Sequence, residues 1–265
     1  MDVSRRLIRQ KKDIAVVKIC ANVLKRLSVM DYEKNDKKRK EKETKKNEIK
    51  ERLIFPMKIQ AKGTKKIDRI SEQELRFLFV EEFKKKYKHL YYSVETPTEE
   101  KYKFGKSYKE IVKNVDIHKT SASIDMCVFN KIENTYERIL NIEFKHKNTS
   151  KKNIAKDILK LSREKQNGAF VLLLNNTNKG RSRGTLWNEN NTGVFNKFSK
   201  SFSDFERNWC GKDKSIHLII MSLSQNTLIH RKIIETDLDE LHNIFFEDSG
   251  CCNIKEVEGR GWEKY

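Results

Sequence analysis

An uninterrupted apolar segment, Ala169–Leu174, limits the folds open to this chain more than any other stretch. A strand with one solvated face alternates apolar and polar residues, so a run without alternation indicates a strand covered on both faces. It follows Asn153–Gln166, where apolar residues recur at helical spacing until Gly168 stops the helix. With the apolar strand Tyr136–Phe144 before that helix, the order strand, helix, strand predicts a right-handed crossover and a mixed sheet with helices on its faces.

A helix and two strands are predicted before the strand Tyr136–Phe144. Ser71 and Glu74 form a capping-box pattern that predicts a helix from about Ser71 to Lys88. Apolar and aromatic runs then predict two strands before Tyr136–Phe144, so that the core reads helix, three strands, helix, strand. The remaining predicted elements are strands at Leu90–Glu95 (ending before Pro97), Ser121–Phe129, Ser215–Leu223 and Thr227–Ile234, and a helix at Asp237–Phe246.

The two ends of the predicted domain have a different composition. Apolar residues at helical spacing among Arg and Lys predict a basic amphipathic helix from Asp2 to about Leu27, and the Lys-rich segment Glu33–Lys50 predicts a solvated linker. We therefore expect residues 1–64 to form a basic helical arm with a charged linker, and residues 65–265 to form the main domain. A Gly-, Asn- and Ser-rich region predicts a loop-rich insertion near 175–214.

The net charge of +19 indicates a polyanionic partner. Nucleic acid is the usual partner of so basic a protein, and an anionic membrane surface is the competing one. No apolar run is long enough to span a bilayer, and the first residues lack the apolar core of a secretory signal, so we expect no membrane partner and a cytoplasmic location. The five cysteines include no CxxC pair, which argues against a cysteine-rich zinc site or an iron–sulfur cluster.

Charged residues interrupt two of the predicted strands. Asp125 lies within the second strand, while Glu143 and Lys145 lie at alternate positions of the third and so share a face. Carboxylates in half-buried strands are costly to desolvate unless a cation compensates them, and Mg²⁺ is a strong compensator. Mg²⁺ held by such carboxylates can support phosphodiester hydrolysis. Lys145 would orient or deprotonate the attacking water, or stabilise developing negative charge.

This pattern of an acid, a Glu-x-Lys and the surrounding element order resembles the PD-(D/E)xK nuclease superfamily over about Glu72–Leu174. The resemblance implies an α/β restriction-endonuclease-like mixed sheet flanked by helices, with an αβββαβ core and here a basic helical N-terminal extension. It implies Mg²⁺, with Mn²⁺ as a substitute, bound by Asp125 and Glu143, and hydrolysis assisted by Lys145. Ile124 departs from the proline that often precedes the first acid.

Many members of that superfamily also carry a metal-facing glutamate on the first helix. We expect Glu74 to be a further metal ligand and catalytic group, with Glu72 and Glu82 as alternatives. Glu95, at the end of the first predicted strand, is left outside the site. The resemblance favours DNA over RNA, an endonuclease of a restriction, defence or repair system, and allows a homodimer.

Basic residues downstream of the site are candidate phosphate contacts. One group follows the Glu-x-Lys strand, and the other lies in the Gly-flanked loop before Trp187; a solvated helix face and an ordinary surface loop are the alternatives. Three other functions stay open. They are a ribonuclease or nickase using the same residues, a non-catalytic nucleic-acid-binding protein whose acid–lysine cluster is only an ion pair, and a peripheral membrane protein that uses the amphipathic N-terminal segment. The nucleic-acid candidates are Lys147, Lys151, Lys152, Lys156, Arg181 and Arg183, with Lys160 as a further member of the helical group.

Overall fold

The computed structural model describes residues 3–30, 53–55, 57–60, 66–177, 182–247, 251 and 253–265, and for residues 3–15, 57–60 and 66–69 it describes the backbone alone. The helices are α1 Val3–Val29, α2 Glu72–Lys86, α3 Tyr108–Lys113, α4 Lys151–Arg163, α5 Val194–Phe205 and α6 Leu241–Ile244. The strands are β1 Met57–Gln60, β2 Lys66–Arg69, β3 Tyr91–Tyr102, β4 Thr120–Ile132, β5 Thr135–His146, β6 Asn167–Leu174, β7 Ser215–Ser222, β8 Thr227–Ile234 and β9 Glu263–Lys264.

The main sheet contains seven strands in the order β3-β4-β5-β6-β7-β8-β9. Strand β6 pairs in parallel with both β5 and β7, and every other pair is antiparallel. The predicted mixed α/β class is therefore confirmed. The predicted order of helix, three strands, helix and strand is also present, as α2, β3, β4, β5, α4 and β6, with the unpredicted short helix α3 between β3 and β4.

Strand β6 divides the interior into two cores. Phe170 and Leu172 point into a core with α4, α5 and α6, whereas Val171 and Leu173 point into a second core with α1 and α2. Successive side chains of a strand point to opposite faces, so an apolar run fills both cores at once. The two-sided burial predicted for Ala169–Leu174 is confirmed.

The predicted N-terminal helix is present as α1. The side chains of its C-terminal half pack into the second core. Arg26 forms ion pairs with Glu81 at 2.8 Å and with Glu82 at 3.1 Å, both on α2. This half of α1 is thus part of the folded body rather than a projecting arm. The expected linker at 33–50 lies outside the described residues, and the division at residue 64 stays a prediction. The buried α1 side chains are Val16, Val17, Ile19, Cys20, Val23, Leu24, Leu27 and Met30.

The prediction of a loop-rich insertion over 175–214 is wrong for residues 194–208, which are helical. Residues 194–205 form α5, because four phenylalanines spaced three or four residues apart place an apolar stripe against the first core. The described residues before and after these helical turns, 182–193 and 209–214, are irregular. The phenylalanines are Phe195, Phe198, Phe202 and Phe205.

Two predicted boundaries also differ. Strand β3 continues through Pro97 to Tyr102, because β3 is an edge strand and an edge position needs no donor from proline on its open side. In place of the predicted helix at Asp237–Phe246, the structure has a 3₁₀ segment, Glu235–Glu240, followed by the single turn of α6. None of the described helices combines the length and apolar composition that a bilayer-spanning segment requires.

A buried histidine pair joins β7 to β8. His217 Nδ1 lies 2.8 Å from His230 Nε2, and the two rings stack at an interplanar angle of 12°. Burial, reinforced by the neighbouring His217, lowers the pKa of His230 from 6.5 to about 4, although Glu263 opposes this shift.

We expect the free energy of unfolding to fall as the pH drops from 6.5 towards 4, because the unfolded chain protonates His230 before the folded chain does. Linkage limits this contribution to about 3 kcal/mol. Urea unfolding at about pH 7 and about pH 4.5 measures it, and His230→Gln should show a smaller pH dependence than the wild type. The exposed His89→Gln is the control, and identical pH dependence in H230Q and wild type would contradict the assignment.

Candidate active site

Strands β4 and β5 diverge at one end, and the two predicted acids lie where they separate. The strands pair from Ile132 with Thr135 as far as Met126 with Ile142. Beyond that point β4 pairs only with β3, and β5 continues beside β6. Asp125 and Glu143 are the first residues past the last pair, one on each strand, at what we call the fork.

Asp125 bridges the fork with its side chain. Its Oδ2 accepts a hydrogen bond of 2.8 Å from the backbone N–H of Phe144, and its Oδ1 accepts one of 2.8 Å from Arg76 Nη2. A side-chain carboxylate thus takes a backbone donor that regular strand pairing leaves unused at this point. Helix α2 supplies Arg76, so both a neighbouring strand and a helix fix the position of Asp125.

Lys145 lies among four oxygen groups of the fork. Its ammonium is 2.9 Å from Asp157 Oδ2 and 3.7 Å from Asp125 Oδ2, and it donates to the Phe144 carbonyl at 2.8 Å. Glu72 Oε1 is 4.0 Å away. Burial alone would lower the pKa of Lys145, but Asp157 and the other carboxylates outweigh burial and raise it above its usual value. The group is therefore an ammonium at neutral pH.

Glu143 is the most deeply buried acid of the group, with 1% of its surface exposed. Lys160 Nζ lies 2.5 Å from Glu143 Oε1 and 2.9 Å from Asp157 Oδ1. Glu143 Oε2 has no hydrogen-bond partner within the described part of the chain. Burial, followed by the charge of Asp157, raises the pKa of Glu143 well above its ordinary value, and Lys160 only partly offsets this.

The structure brings Asp125, Glu143 and Lys145 together, as the spacing predicted. It joins them through Asp157 and Lys160 of α4, which the sequence reasoning did not place in the site. The prediction that Lys160 contacts phosphate together with the other lysines of α4 is wrong, because its ammonium is buried between two carboxylates. The missed signal is an acid on the apolar face of a predicted helix, since Asp157 shares its face with buried apolar residues one turn away.

Glu74 does not belong to the cluster, and its choice as a metal ligand is corrected. Its carboxylate is fully buried and accepts the backbone N–H groups of Ile54 at 3.0 Å and Phe55 at 2.8 Å. The same residue completes the cap of α2 by donating its own N–H to Ser71 Oγ. Glu82, the other alternative, is paired with Arg26 and Lys85. Glu74 therefore ties the 53–55 segment to the helix.

Glu72 is the α2 glutamate that faces the fork. Residues four apart share a helix face, so Glu72 and Arg76 approach the site together. Burial is the main cause that raises the pKa of Glu72, and the nearby Lys145 opposes it. The side chain remains 37% exposed, so Glu72 lies at the solvent side of the cluster.

Glu95 also joins the cluster, although the sequence reasoning left it out. The neighbouring pairs, Val94 with Met126 and Thr96 with Ile124, place it across from Asp125. Its backbone is left-handed, with φ of 51°, an uncommon conformation that non-glycine residues adopt at a local energetic cost. The carboxylate pairs with Arg76 and accepts a hydrogen bond of 2.9 Å from Ser123 Oγ.

The predicted nucleic-acid residues lie around α4 and the loops next to it. Lys147 and Arg183 are exposed, and Lys152 is partly exposed at the start of α4. Lys151 and Lys156 lie over the rings of Tyr108 and Phe104, at 4.0 Å and 5.1 Å from the ring centroids. Arg181 lies outside the described residues. Phosphate binding by these side chains stays a prediction.

The donors of the fork match a hard divalent cation in type and charge. Carboxylates of Glu72, Glu95, Asp125, Glu143 and Asp157 face three cationic side chains, Arg76, Lys145 and Lys160, which leaves a formal excess of two negative charges. Mg²⁺ is commonly held by one or two carboxylates together with water and phosphate oxygens. The unpartnered Oε2 of buried Glu143 fits such an ion. In the described residues, however, no three acidic, histidine or cysteine side chains are arranged as a ready-made metal site.

Comparisons of the chain with family models, with curated proteins and with solved structures find no match. The chemistry open to the site follows from its own residues. Two carboxylates at the fork can bind a cation, a protonated lysine beside them can donate to an anionic oxygen, and a second lysine neutralises the buried acids.

We expect Glu74→Gln to lower the free energy of unfolding by about 2 kcal/mol, because it removes the charge from a buried carboxylate that accepts two backbone N–H groups. Glu72→Gln, on the same helix but partly exposed, should change stability by less than about 0.5 kcal/mol. Chemical unfolding of the two variants measures the difference. Equal losses would contradict the different environments of these two glutamates.

Proposed function

We propose that this protein is a metal-dependent nuclease that hydrolyses phosphodiester bonds, with DNA as the preferred substrate. The observation that carries the proposal is the meeting of Asp125, Glu143 and Lys145 at the fork between β4 and β5. Carboxylates that can hold a divalent cation, beside an ammonium that can donate to a phosphate oxygen, are groups that metal-assisted attack on a phosphate can use. Restriction, host defence and DNA repair are the settings in which such an endonuclease works.

The fold supports the same proposal. The order α2, β3, β4, β5, α4, β6, with β5 and β6 parallel, is compatible with the restriction-endonuclease-like fold and PD-(D/E)xK membership that the sequence resembles. The candidate residues occupy the two central strands of that unit and the helices on either side. Fold alone does not fix an activity, so the side chains at the fork carry the argument.

Asp125 and Glu143 would hold the Mg²⁺ ion. An ion held there would supply charge stabilisation for the scissile phosphate and would make an attacking water more acidic. Asp125 is already oriented for this by the Phe144 N–H, which occupies one side of its Oδ2. A cation would stabilise the carboxylate of Glu143 more than that of Asp125, because Glu143 is buried and its Oε2 lacks a partner among the described residues.

Lys145 acts in this proposal as a hydrogen-bond donor and not as the base. Its raised pKa keeps the ammonium charged, so it stabilises negative charge on a phosphate oxygen. Asp157 orients that ammonium from α4, at 2.9 Å. Of the roles that the sequence left open for Lys145, charge stabilisation is thus the one that the electrostatics favour.

A nucleic-acid-binding protein without catalysis is the second candidate function. Its specific support is that Lys145 and Lys160 already neutralise much of the acidic cluster without a metal ion. In that case the basic surface and the net charge of +19 would supply all affinity for nucleic acid. A ribonuclease would use the same residues as the DNA endonuclease, and the substrate assay separates the two.

We expect cleavage of linear, supercoiled or single-stranded DNA in Mg²⁺ or Mn²⁺ and none in EDTA. Asp125→Asn removes a metal ligand, and Lys145→Met removes the charge-stabilising ammonium, so each should lower the cleavage rate at least about 100-fold. Gel assays with the same DNA forms and with RNA measure the rates and identify the preferred substrate.

Two exposed residues provide controls with the same change in charge. Asp116 and Lys131 lie away from the fork, so the variants Asp116→Asn and Lys131→Met should cleave at the wild-type rate. Metal-independent binding with no cleavage of any substrate would favour the non-catalytic protein. Cleavage that survives both D125N and K145M would exclude the fork as the active site.

Binding to DNA in EDTA should weaken steeply with salt, because each neutralised phosphate releases counterions. Replacing the exposed Lys147 and the partly exposed Lys152 with Met should reduce the slope of log affinity against log salt by roughly 0.9 for each phosphate that the variant no longer neutralises. Fluorescence anisotropy across a salt series measures this slope. The double variant K212M/K255M removes the same charge from another part of the surface, and an equal effect there would count against a defined phosphate path.

A further inference from the structure

The ammonium of Lys160 lies in a set of three oxygens that we call the oxygen cage. Glu143 Oε1 is 2.5 Å away and Asp157 Oδ1 is 2.9 Å away, and the Ser123 carbonyl accepts a hydrogen bond of 2.8 Å. Two of the three contacts are ion pairs with carboxylates, and the third is a hydrogen bond to a backbone carbonyl. The cage also joins β5, α4 and β4 at the open end of the fork.

The oxygen cage has the composition of a site for a hard cation. Two carboxylates and a carbonyl are ligands that Mg²⁺ and Ca²⁺ use in proteins. Lys160 therefore occupies a place suited to a cation, and its long side chain delivers the charge from helix α4. The same carboxylate of Glu143 is the one that the proposed function assigns to the metal ion.

We infer that Lys160 is a tethered counter-ion, which neutralises Glu143 in the metal-free protein and competes with the divalent cation for that carboxylate. The inference rests on the proposed function, because it takes Glu143 as a metal ligand. When a metal ion takes Glu143, Lys160 keeps the Asp157 carboxylate and the Ser123 carbonyl as partners. Asp157 thus holds the ammonium close to the site while its other oxygen holds Lys145.

The tethered counter-ion and a purely structural lysine predict opposite changes in metal affinity when Lys160 is removed. A lysine that only supports the metal ligands would, once removed, leave them misplaced and weaken metal binding. A lysine that competes with the metal for Glu143 would, once removed, strengthen metal binding. The affinity of the protein for a metal ion in the absence of substrate separates the two roles.

Calorimetric titration with Mn²⁺ alone tests the inference on the full chain. Lys160→Met should bind Mn²⁺ roughly tenfold or more tightly than the wild type, because a charge-assisted contact to Glu143 no longer competes. Lys131→Met is the control, since it removes an exposed lysine near the hairpin end of β4, away from the fork, and it should bind Mn²⁺ as the wild type does.

Stability provides a second readout. K160M should unfold at a lower temperature than the wild type without metal, and Mn²⁺ should restore more of its stability than it adds to the wild type. If K160M does not fold without metal, the double variant D157N/K160M removes one charge of each sign and should show the same gain in Mn²⁺ affinity.

Each outcome of the titration decides the question. Tighter binding by K160M, including binding by K160M when the wild type shows none, supports the tethered counter-ion. Equal or weaker binding by K160M and by D157N/K160M, with measurable binding by the wild type, overturns the inference and leaves the nuclease proposal standing. Absence of Mn²⁺ binding in the wild type and in both variants overturns the inference and the metal-dependent function together.

Discussion

The buried carboxylate of Glu143 needs a positive charge, and the arrangement of the fork follows from that need. An ionised acid with 1% exposure is destabilising unless a cation and hydrogen bonds compensate it. Lys160 supplies the cation in the structure as it stands, and Asp157 fixes Lys160 and Lys145 at once. A buried charge that is only partly compensated lowers the stability of the fold. Such costly groups are typical of functional sites.

The fold makes such a cluster possible by its strand geometry. Where β4 and β5 pair regularly, Met126, Val128 and Ile142 pack into the second core. Where the strands separate, the side chain of Asp125 can reach the backbone of the neighbouring strand. Helices α2 and α4 lie on opposite faces of the sheet and both reach this opening, through Arg76 and Asp157. The exposed Glu95 and the partly exposed Glu72 leave the cluster open to solvent on one side.

Much of the fold could be predicted from the sequence, because its signals are local and strong. The capping box at Ser71 and the apolar run of β6 predicted elements that the structure contains. Helix α5 was not predicted, because the glycine, asparagine and serine content of the region indicated a loop and outweighed the helical spacing of its four phenylalanines. The continuation of β3 through Pro97 was missed because only the sheet order shows that β3 is an edge strand.

The site was predictable where strand alternation decides which side chains meet. Asp125 on β4 lies level with Glu143 on β5, and Lys145 follows two residues later on the same face of β5. Helix contributions were not predictable in the same way, since the sequence does not give the rotation of a helix over the sheet. Glu72 rather than Glu74 faces the fork, and Asp157 enters from α4.

Crystals soaked in Mn²⁺ would test the central claim, that Asp125 and Glu143 share one divalent cation. An anomalous diffraction map locates the ion directly and does not depend on choosing the right substrate. The account predicts a peak in contact with both carboxylates, with Lys160 Nζ moved off Glu143 and retained by Asp157. An Mn²⁺ peak elsewhere, or no peak at the fork when other surface sites are filled, with Lys160 still seated on Glu143, would contradict it.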